Sequence, residues 1–435
     1  MKKILIAALV VGLLLVAYFA QVAYMGFLAQ RFFEQSTRTN DFVEFSNVKF
    51  ERGFFTSKAS FDAAMSPQRY PINQLGSEAQ AFSELFSVSV EALIKNNVFA
   101  KNNLEIKFES PMFALLQEIL GGKVKLDKNF FETTASISLF GKVSVFSKLA
   151  DIDFTEGKNS IKLTGAEAQS EFDSVGKLLK TSLKLGEFSI IDATTPLPFV
   201  FGLTKLDFEE SYGGGVQISE YVGGAFGSQS RASIESINAM DVVFLGLNSQ
   251  SKNELKDGAI VGKSNFAATQ IASPMLQMQL DNISGELEMS GISTAFVKAF
   301  RSGGLDVLDA GDTLRLFFSQ KPKITLKALN FSSKGKKFDS KGELMGDEAG
   351  FKLAYEFASE AKPSEIIPLL IFTAPGADEL CVQNEGKCSL NFTLESDFVE
   401  YKIKLNGESL DFNINELEAE QNLNENDLRL YDERK

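Results

Sequence analysis

Cys381 and Cys388 are the only cysteines of this 435-residue chain, and they bracket Val-Gln-Asn-Glu-Gly-Lys. Two thiols with no histidine make a poor metal site, and the spacing is not the C-x-x-C of a redox pair. In an oxidising compartment a gap holding Asn384 and Gly386 suits a disulfide that closes a hairpin or tight loop. The chain contains no histidine at all. That removes Ser-His-Asp and Cys-His nucleophile activation, and every histidine-containing zinc or iron site. Ser–Lys catalysis needs no histidine, but no spacing singles out one serine and one lysine.

Carboxylates and glycines offer the remaining chemistry. Glu209-Glu210 could imitate a glycosidase pair, yet neighbours on a strand face opposite ways. Asp151, Asp153 and Glu156 could gather calcium through oxygen ligands, but they depart from EF-hand spacing and read as an exposed acidic loop. Gly213–Gly215 and Gly223-Gly224-Ala225-Phe226-Gly227 could suggest phosphate cradling. They lack the following Lys-Ser/Thr, so together with Tyr221–Ser230 they mark loops and a subdivision near 212–230. No nucleophile elbow or dinucleotide fingerprint occurs in a suitable context. The expectation is no catalytic residue, no cofactor and no metal.

The elements that would position any site are strands. Ala135, Ile137 and Leu139 alternate, with Val143 and Val145 keeping that parity past Gly141. Phe351, Leu353, Tyr355 and Phe357 alternate too, as do Leu390, Phe392 and Leu394, then Tyr401, Ile403 and Leu405 after a Glu-Ser-Asp corner. These are half-buried strands with one wet face. Parity changes near Gly186, between Leu183/Leu185 and Phe188/Ile190, and again near Gly285, between Leu276/Met278/Leu280 and Ile283/Leu287/Met289. Each change is either a β-bulge or a tight turn. Helical candidates are Gln74–Leu93, Pro111–Ile119, Ile292–Leu308 and Ser364–Phe372. The fold class is therefore mainly β, a β-rich α+β chain with a few short helices in a large, elongated antiparallel domain. Phe accounts for 40 residues and Trp for none, which fits core packing or a long apolar groove.

An uncharged run from Ile4 to Ala29, broken only by Gln21, follows Lys2 and Lys3. As a helix it would reach ~39 Å against a hydrocarbon core of ~30 Å. It is longer than a signal-peptide centre, and Ala20, Ala23, Gly26 and Ala29 each have a large residue two positions before them, a poor cleavage context. Tyr18, Tyr24 and Phe27 suit a membrane boundary, and the two lysines keep the N-terminus cytoplasmic. The layout predicted is a cytoplasmic tail at 1–3, a transmembrane anchor at 4–29, a linker at 30–40, a β-rich periplasmic domain at 41–414 and an acidic tail at 415–435. A net charge of −13 argues against nucleic acid as a partner.

The stretch Ser46-Asn47-Val48-Lys49-Phe50-Glu51-Arg52-Gly53-Phe54-Phe55-Thr56-Ser57 joins an aromatic strand end to Arg-Gly-aromatic-aromatic and Thr-Ser. It resembles the start of the ectodomain in the YdgA-like family of bacterial membrane-anchored proteins (domain of unknown function 945). Tyr401–Leu410, with its strand–Asn406-Gly407–strand, is similar to that family's closing hairpin. The resemblance implies the compartment, the bacterial inner membrane with the bulk in the periplasm, and no enzyme activity. On this reading Phe50, Arg52, Gly53, Phe54, Phe55, Ser57, Asn406 and Gly407 are family-motif positions. Physically, Gly53 permits a tight turn and Phe54 and Phe55 go to opposite sides of a strand.

The function expected is non-catalytic binding of a lipid or other apolar ligand in a Phe-lined groove, or of an envelope protein partner or second copy. The alternatives are a periplasmic hydrolase acting on envelope polymers through carboxylates, and an envelope scaffold whose acidic tail recruits partners.

Overall fold

The computed structural model describes residues 2–38, 43–65, 87–96, 104–119, 130–194, 198–217, 220–221, 225–301, 310–366, 368, 378–384 and 387–410. Helix α1 (Lys2–Ser36) is followed by strands β1 (Val43–Glu51), β2 (Thr56–Met65), β3 (Val88–Lys95) and β4 (Leu104–Glu109). After helix α2 (Pro111–Ile119) come β5 (Phe131–Ile137), β6 (Val143–Leu149), β7 (Ile152–Glu156), β8 (Asn159–Thr164) and β9 (Glu167–Phe172). Five long strands follow: β10 (Leu178–Asp192), β11 (Phe199–Val216), β12 (Ser228–Ala239), β13 (Val242–Lys256) and β14 (Ala259–Ser273). The chain continues through β15 (Met278–Ser293), helices α3 (Thr294–Arg301) and α4 (Ala310–Phe318), and β16 (Lys323–Ser333), β17 (Lys336–Asp347) and β18 (Gly350–Ser359). It closes with α5 (Pro363–Ile366), β19 (Val382–Asn384), β20 (Lys387–Ser396), β21 (Tyr401–Leu405) and β22 (Glu408–Leu410).

All described pairings are antiparallel, and they join the 22 strands into one sheet. Consecutive strands pair as a meander, with three exceptions, one of them β18, which pairs with β20 past the short β19. Strand β6 skips to β9 around the β7–β8 hairpin, and β10 pairs with β9 along its first half and β8 along its second. One register row can be followed almost end to end. It starts Phe50–Ala59–Ala92–Ile106–Thr133, crosses Ser147 and Ala168 to Leu183 and Phe208, and reaches Phe266, Leu329, Phe357 and Leu390. Residues opposite one another in a ladder share a face, so this row fixes one inner face for the whole sheet.

What covers that face changes along the sheet. Over the first strands it is covered by α1: Met25, Leu28, Ala29 and Phe33 are buried with Ala59, Ile94, Leu104, Ala135, Ile137 and Val143. This corrects the expected limits of the span. Residues up to Ala29 were expected in lipid, and the residues after it as a linker or a continuation of the helix. Instead Met25, Leu28 and Ala29 belong to the protein core, and the helix runs on to Ser36. It stops where Thr37 turns both its amide and its hydroxyl onto the Phe33 carbonyl, at 3.0 and 2.9 Å. Among the described residues no helix is long and apolar enough to cross a membrane. The side chains of residues 1–18, which hold most of the expected span, lie outside the described set.

The parity change at Gly186 is a wrinkle inside one strand rather than a turn. Leu185 pairs with Leu206 and Glu187 with Thr204, leaving Gly186 and Lys205 outside the ladder. The same line crosses Gly246 and Asn282, and Lys205, Gly246 and Asn282 all have left-handed φ, at 47°, 62° and 53°. The extra residue re-phases the pleat, so Leu183 and Leu185 stay on one face with Phe188 and Ile190. In β15 the shift sits at Asn282, not at Gly285. Gly285 has a different job: a Cβ there would lie 2.2 Å from the ring of Phe266, which packs across it.

Several local expectations change. Gly213–Gly215 lie within the limits of strand β11 but in a bulge between Ser211 and Val216 that has no partner in either neighbouring ladder. Val88–Leu93 is strand, not helix, while residues 74–86 of that candidate lie outside the described residues. The Ala135–Val145 alternation spans two strands, with a turn closed by Gly141 N to Ser138 O at 2.9 Å. Pro111–Ile119 is helical, with Ser110 at its N-cap and Pro111 at the first helical position, where its missing N–H costs nothing. In the other two candidates Thr294–Arg301 and Pro363–Ile366 are helical, and residues 302–308, 367 and 369–372 lie outside the described residues. Helix α4 was not anticipated, and its Phe318 is 2% exposed against Phe351 and Phe398. The acidic tail at 415–435 lies outside the described residues.

Cys381 and Cys388 form a disulfide across the β19–β20 hairpin, with Cα atoms 5.2 Å apart. Closing so short a loop stabilises by about 2.5 kcal/mol on chain-entropy grounds. Replacing both cysteines by serine is expected to lower unfolding free energy by about that much. The check is a urea titration, in which the oxidised wild type alone should lose stability on adding reductant.

Candidate functional site

The Arg-Gly-Phe-Phe motif forms the tip between β1 and β2. Gly53 is needed there because a Cβ would sit 2.0 Å from the Thr56 carbonyl oxygen. The tip is fastened from behind by Asn96, which is 1% exposed. Its side-chain amide donates to the carbonyls of Gly53 and Phe54, both at 2.9 Å, and its backbone N–H donates to Phe55 O at 2.9 Å. Ser57, fully buried, lies 3.2 Å from the same amide. With the backbone held, the two rings are turned outward: Phe54 is 48% and Phe55 57% exposed. They meet edge to face at 4.9 Å, and Phe19 of α1 joins them at 5.8 and 6.5 Å. Phe50, by contrast, faces inward against Phe33. The aromatic pair was expected to plug a strand from both sides; instead both rings join one exposed cluster.

A second feature lies where α1 no longer covers the sheet. Leu163, Phe188, Leu203, Ile237, Phe244, Ile271 and Leu280 are successive register partners across seven strands. Every one of them is only half-buried. The fully buried apolar clusters that include sheet residues lie around α1, beside α2, and at Leu178, Tyr212 and Val216. Beside the strip runs a polar band on the same face, with hydroxyl contacts Ser170–Thr181 at 3.4 Å and Ser230–Ser251 at 2.8 Å. Tyr212 donates to Glu210 at 2.8 Å, and burial pushes its phenol far up, helped by that bond. Strands set ~4.8 Å apart give the strip a length of about 29 Å.

The opposite face is a ladder of ion pairs: Lys180–Glu209–Arg231, Lys263–Glu288–Lys327, Lys341–Glu356 and Lys352–Glu395. Glu209 thus lies on the outer face and Glu210 on the inner, as expected for strand neighbours. Two shallow clefts, of about 460 and 360 Å³, lie on this charged face, lined by groups such as Lys58, Glu91 and Glu105, and Lys252, Lys263 and Glu288. The Lys95 bond holds Glu105 below the usual carboxylate range, and the Lys327 bond does the same for Glu288. Carboxylates held ionised by lysines can attract counter-ions but are poorly suited to donate protons. Asp151 accepts the Gly165 amide at 2.9 Å, and among the described residues no group of three acidic or cysteine side chains could hold a metal.

A pH profile follows. Asp62 is lowered by hydrogen bonds from Asn47 and Ser89, Glu209 by Lys180, and Glu395 by Lys352. Each folded pKa lies below its unfolded value, so the stabilisation is complete above about pH 5 and lost as pH falls through the folded values. With no histidine, no side chain of ordinary pKa titrates between about pH 5 and 8. The urea midpoint is expected to stay flat across that window and to drop below about pH 4.

Asn406 and Gly407 make the left-handed turn between β21 and β22, with φ of 51° and 89°. Asn406 also fixes neighbouring chain, accepting Asn391 N at 2.8 Å and donating to Leu380 O at 2.7 Å. The model for the family described as a bacterial protein of unknown function, DUF945, matches residues 1–302. The chain belongs to this family. No curated protein and no solved structure matches it. The DUF945 match takes in α1, the Arg-Gly-Phe-Phe tip with Asn96, and the whole half-buried strip through Leu280. It stops before β16, so the cysteine pair and the Asn406-Gly407 turn fall outside it. Sequence reasoning missed Asn96 and the strip. Asn96 carries no motif, whereas the strip was detectable as alternating apolar residues whose register was unknown.

Proposed function

We propose that this DUF945 protein is a non-catalytic, membrane-anchored protein of the bacterial envelope whose periplasmic domain binds a lipid or similar apolar molecule. The half-buried Leu163–Leu280 row carries the reading. An apolar strip about 29 Å long is roughly twice the ~15 Å depth of one bilayer leaflet, so it can lie along a whole acyl chain. The hydroxyl band beside it suits the more polar end of such a molecule. The anchor is the apolar run that begins at Ile4 and forms the first part of α1. Its position behind Lys2 and Lys3 favours a cytoplasmic N-terminus.

A photoreactive amino acid at Ile271 tests this in cells. The expected product is a lipid adduct on the strip, identified by mass spectrometry, with none from the same probe at Lys263 on the charged face. Equal labelling at both positions, or none at Ile271, would refute apolar binding on this face.

A further inference from the structure

We infer that the Phe54–Phe55 tip is seated in the bilayer leaflet nearest the domain, as a rigid aromatic wedge beside α1. This rests on the anchor reading above. With Ile4 at one edge of a ~30 Å hydrocarbon core, twenty helical residues are needed to reach the other edge, near Tyr24. Phe19 then lies several ångströms inside that edge. The rings of Phe54 and Phe55 lie 5.8 and 6.5 Å from that of Phe19. That is less than the ~7.5 Å that five helical residues place between Phe19 and the edge, so neither ring stands beyond it. Val22, also short of Tyr24, is fully buried by protein. The base of the domain therefore reaches into the membrane boundary rather than standing off it.

Charge follows the same levels. Arg52 Cγ lies 3.5 Å from the point where Gly26 would carry a Cβ, two residues beyond Tyr24. That places its guanidinium in the headgroup zone, where it can bind lipid phosphate in bidentate fashion. Aromatic rings at the boundary with a cation just outside it is the order expected at a membrane interface. Asn96 gives the wedge its stiffness, so exposure of the two rings is built into the backbone.

The lack of tryptophan allows single-tryptophan probes. Phe54→Trp, Phe55→Trp, Phe19→Trp and Val399→Trp variants of the full chain are reconstituted into phosphatidylethanolamine–phosphatidylglycerol vesicles carrying brominated acyl chains. Each variant is first shown to keep the wild-type urea midpoint. The expected result is blue-shifted emission and strong bromine quenching at positions 19, 54 and 55, and neither effect at position 399. Quenching at 19 without quenching at 54 and 55 would overturn the wedge and leave the anchor standing. Blue-shifted but unquenched emission at 54 and 55 would also overturn it, pointing to a protein surface or a second copy as the occupant. No quenching at any of the four positions would remove the anchor and the wedge together.

Discussion

Leu203→Glu combined with Phe244→Glu is expected to abolish lipid labelling from a probe at Ile271 while leaving the fold intact. Both residues sit in the middle of the half-buried row, with Ile237 between them in register. A bound acyl chain would cover both. Losing one apolar contact surface costs about 1.5 kcal/mol at the low end, so the pair removes roughly 3 kcal/mol, a hundredfold in affinity. Placing two carboxylates against a hydrocarbon chain adds a desolvation cost on top. The free protein is far less affected, because these positions already have access to water and the backbone ladders do not depend on them. Charge reversal at Lys263 on the outer face serves as the control, since exposed ion pairs are worth about 0–1 kcal/mol. Unchanged labelling in the double variant would sink the strip as the binding surface. Lost labelling with a collapsed urea midpoint would be a folding defect, and single Leu203→Ser and Phe244→Ser variants then separate the two effects.

Strand alternation was readable because one face of this sheet is wet and the other apolar. Phe351–Phe357, Leu390–Leu394 and Tyr401–Leu405 are the strands β18, β20 and β21 for that reason. Asn406-Gly407 was picked out by its likeness to the family's closing hairpin, and left-handed backbone at both positions is what a two-residue hairpin of this twist requires. The disulfide followed from spacing and elimination of metal chemistry. Other features left no such mark. An apolar residue on a helix is equally content in lipid or against protein, so Met25, Leu28 and Ala29 could not be assigned to the core from hydropathy. Gly213–Gly215 suggested a loop because glycine is permissive; the structure uses that freedom for a bulge inside β11, after which Val216 pairs again with Leu178. The wrinkle at Gly186 was ambiguous because its partner is Lys205, a non-glycine residue in left-handed conformation. Only the neighbouring ladder shows that the strand continues.

The uncovered strip and the aromatic tip are connected through α1. Its first part is the proposed span, and its second part fills the inner face from Met25 to Phe33. Where the helix ends at Ser36, the sheet goes on and its inner face becomes accessible. The same register row that packs Phe50 and Ala59 under the helix carries Leu183, Phe208 and Phe266 past it. A single apolar face therefore leads from the proposed membrane boundary outward along the domain. That arrangement favours an apolar occupant over a carboxylate-based hydrolase, whose candidate pair is split: Glu209 is held in ion pairs on the far face, and Glu210 accepts the Tyr212 hydroxyl on the inner one.

Asn96→Asp is the substitution expected to damage the tip most for the smallest change in shape. The side chain is isosteric, so packing against Gly26 is preserved, where a Cβ would already approach the Asn96 amide to 2.9 Å. What changes is the donor side of the side chain. The amide hydrogens given to the carbonyls of Gly53 and Phe54 are replaced by a carboxylate oxygen facing two acceptors. Two donated bonds are lost and a buried charge is left without a cation, which together cost about 3–5 kcal/mol. Urea unfolding at pH 7 should show the midpoint fall by roughly 1 M or more for slopes of the usual size. The pH dependence separates charge from packing. Burial raises the folded pKa of the introduced carboxyl, so the loss is largest above that value and shrinks as pH falls and the group is protonated. The gap between variant and wild type should therefore narrow toward pH 4, in the same range where the wild type itself begins to lose its paired carboxylates. A gap that stays constant with pH would mean that Asn96 acts through packing alone, and the fastening of the aromatic tip would have to be sought elsewhere.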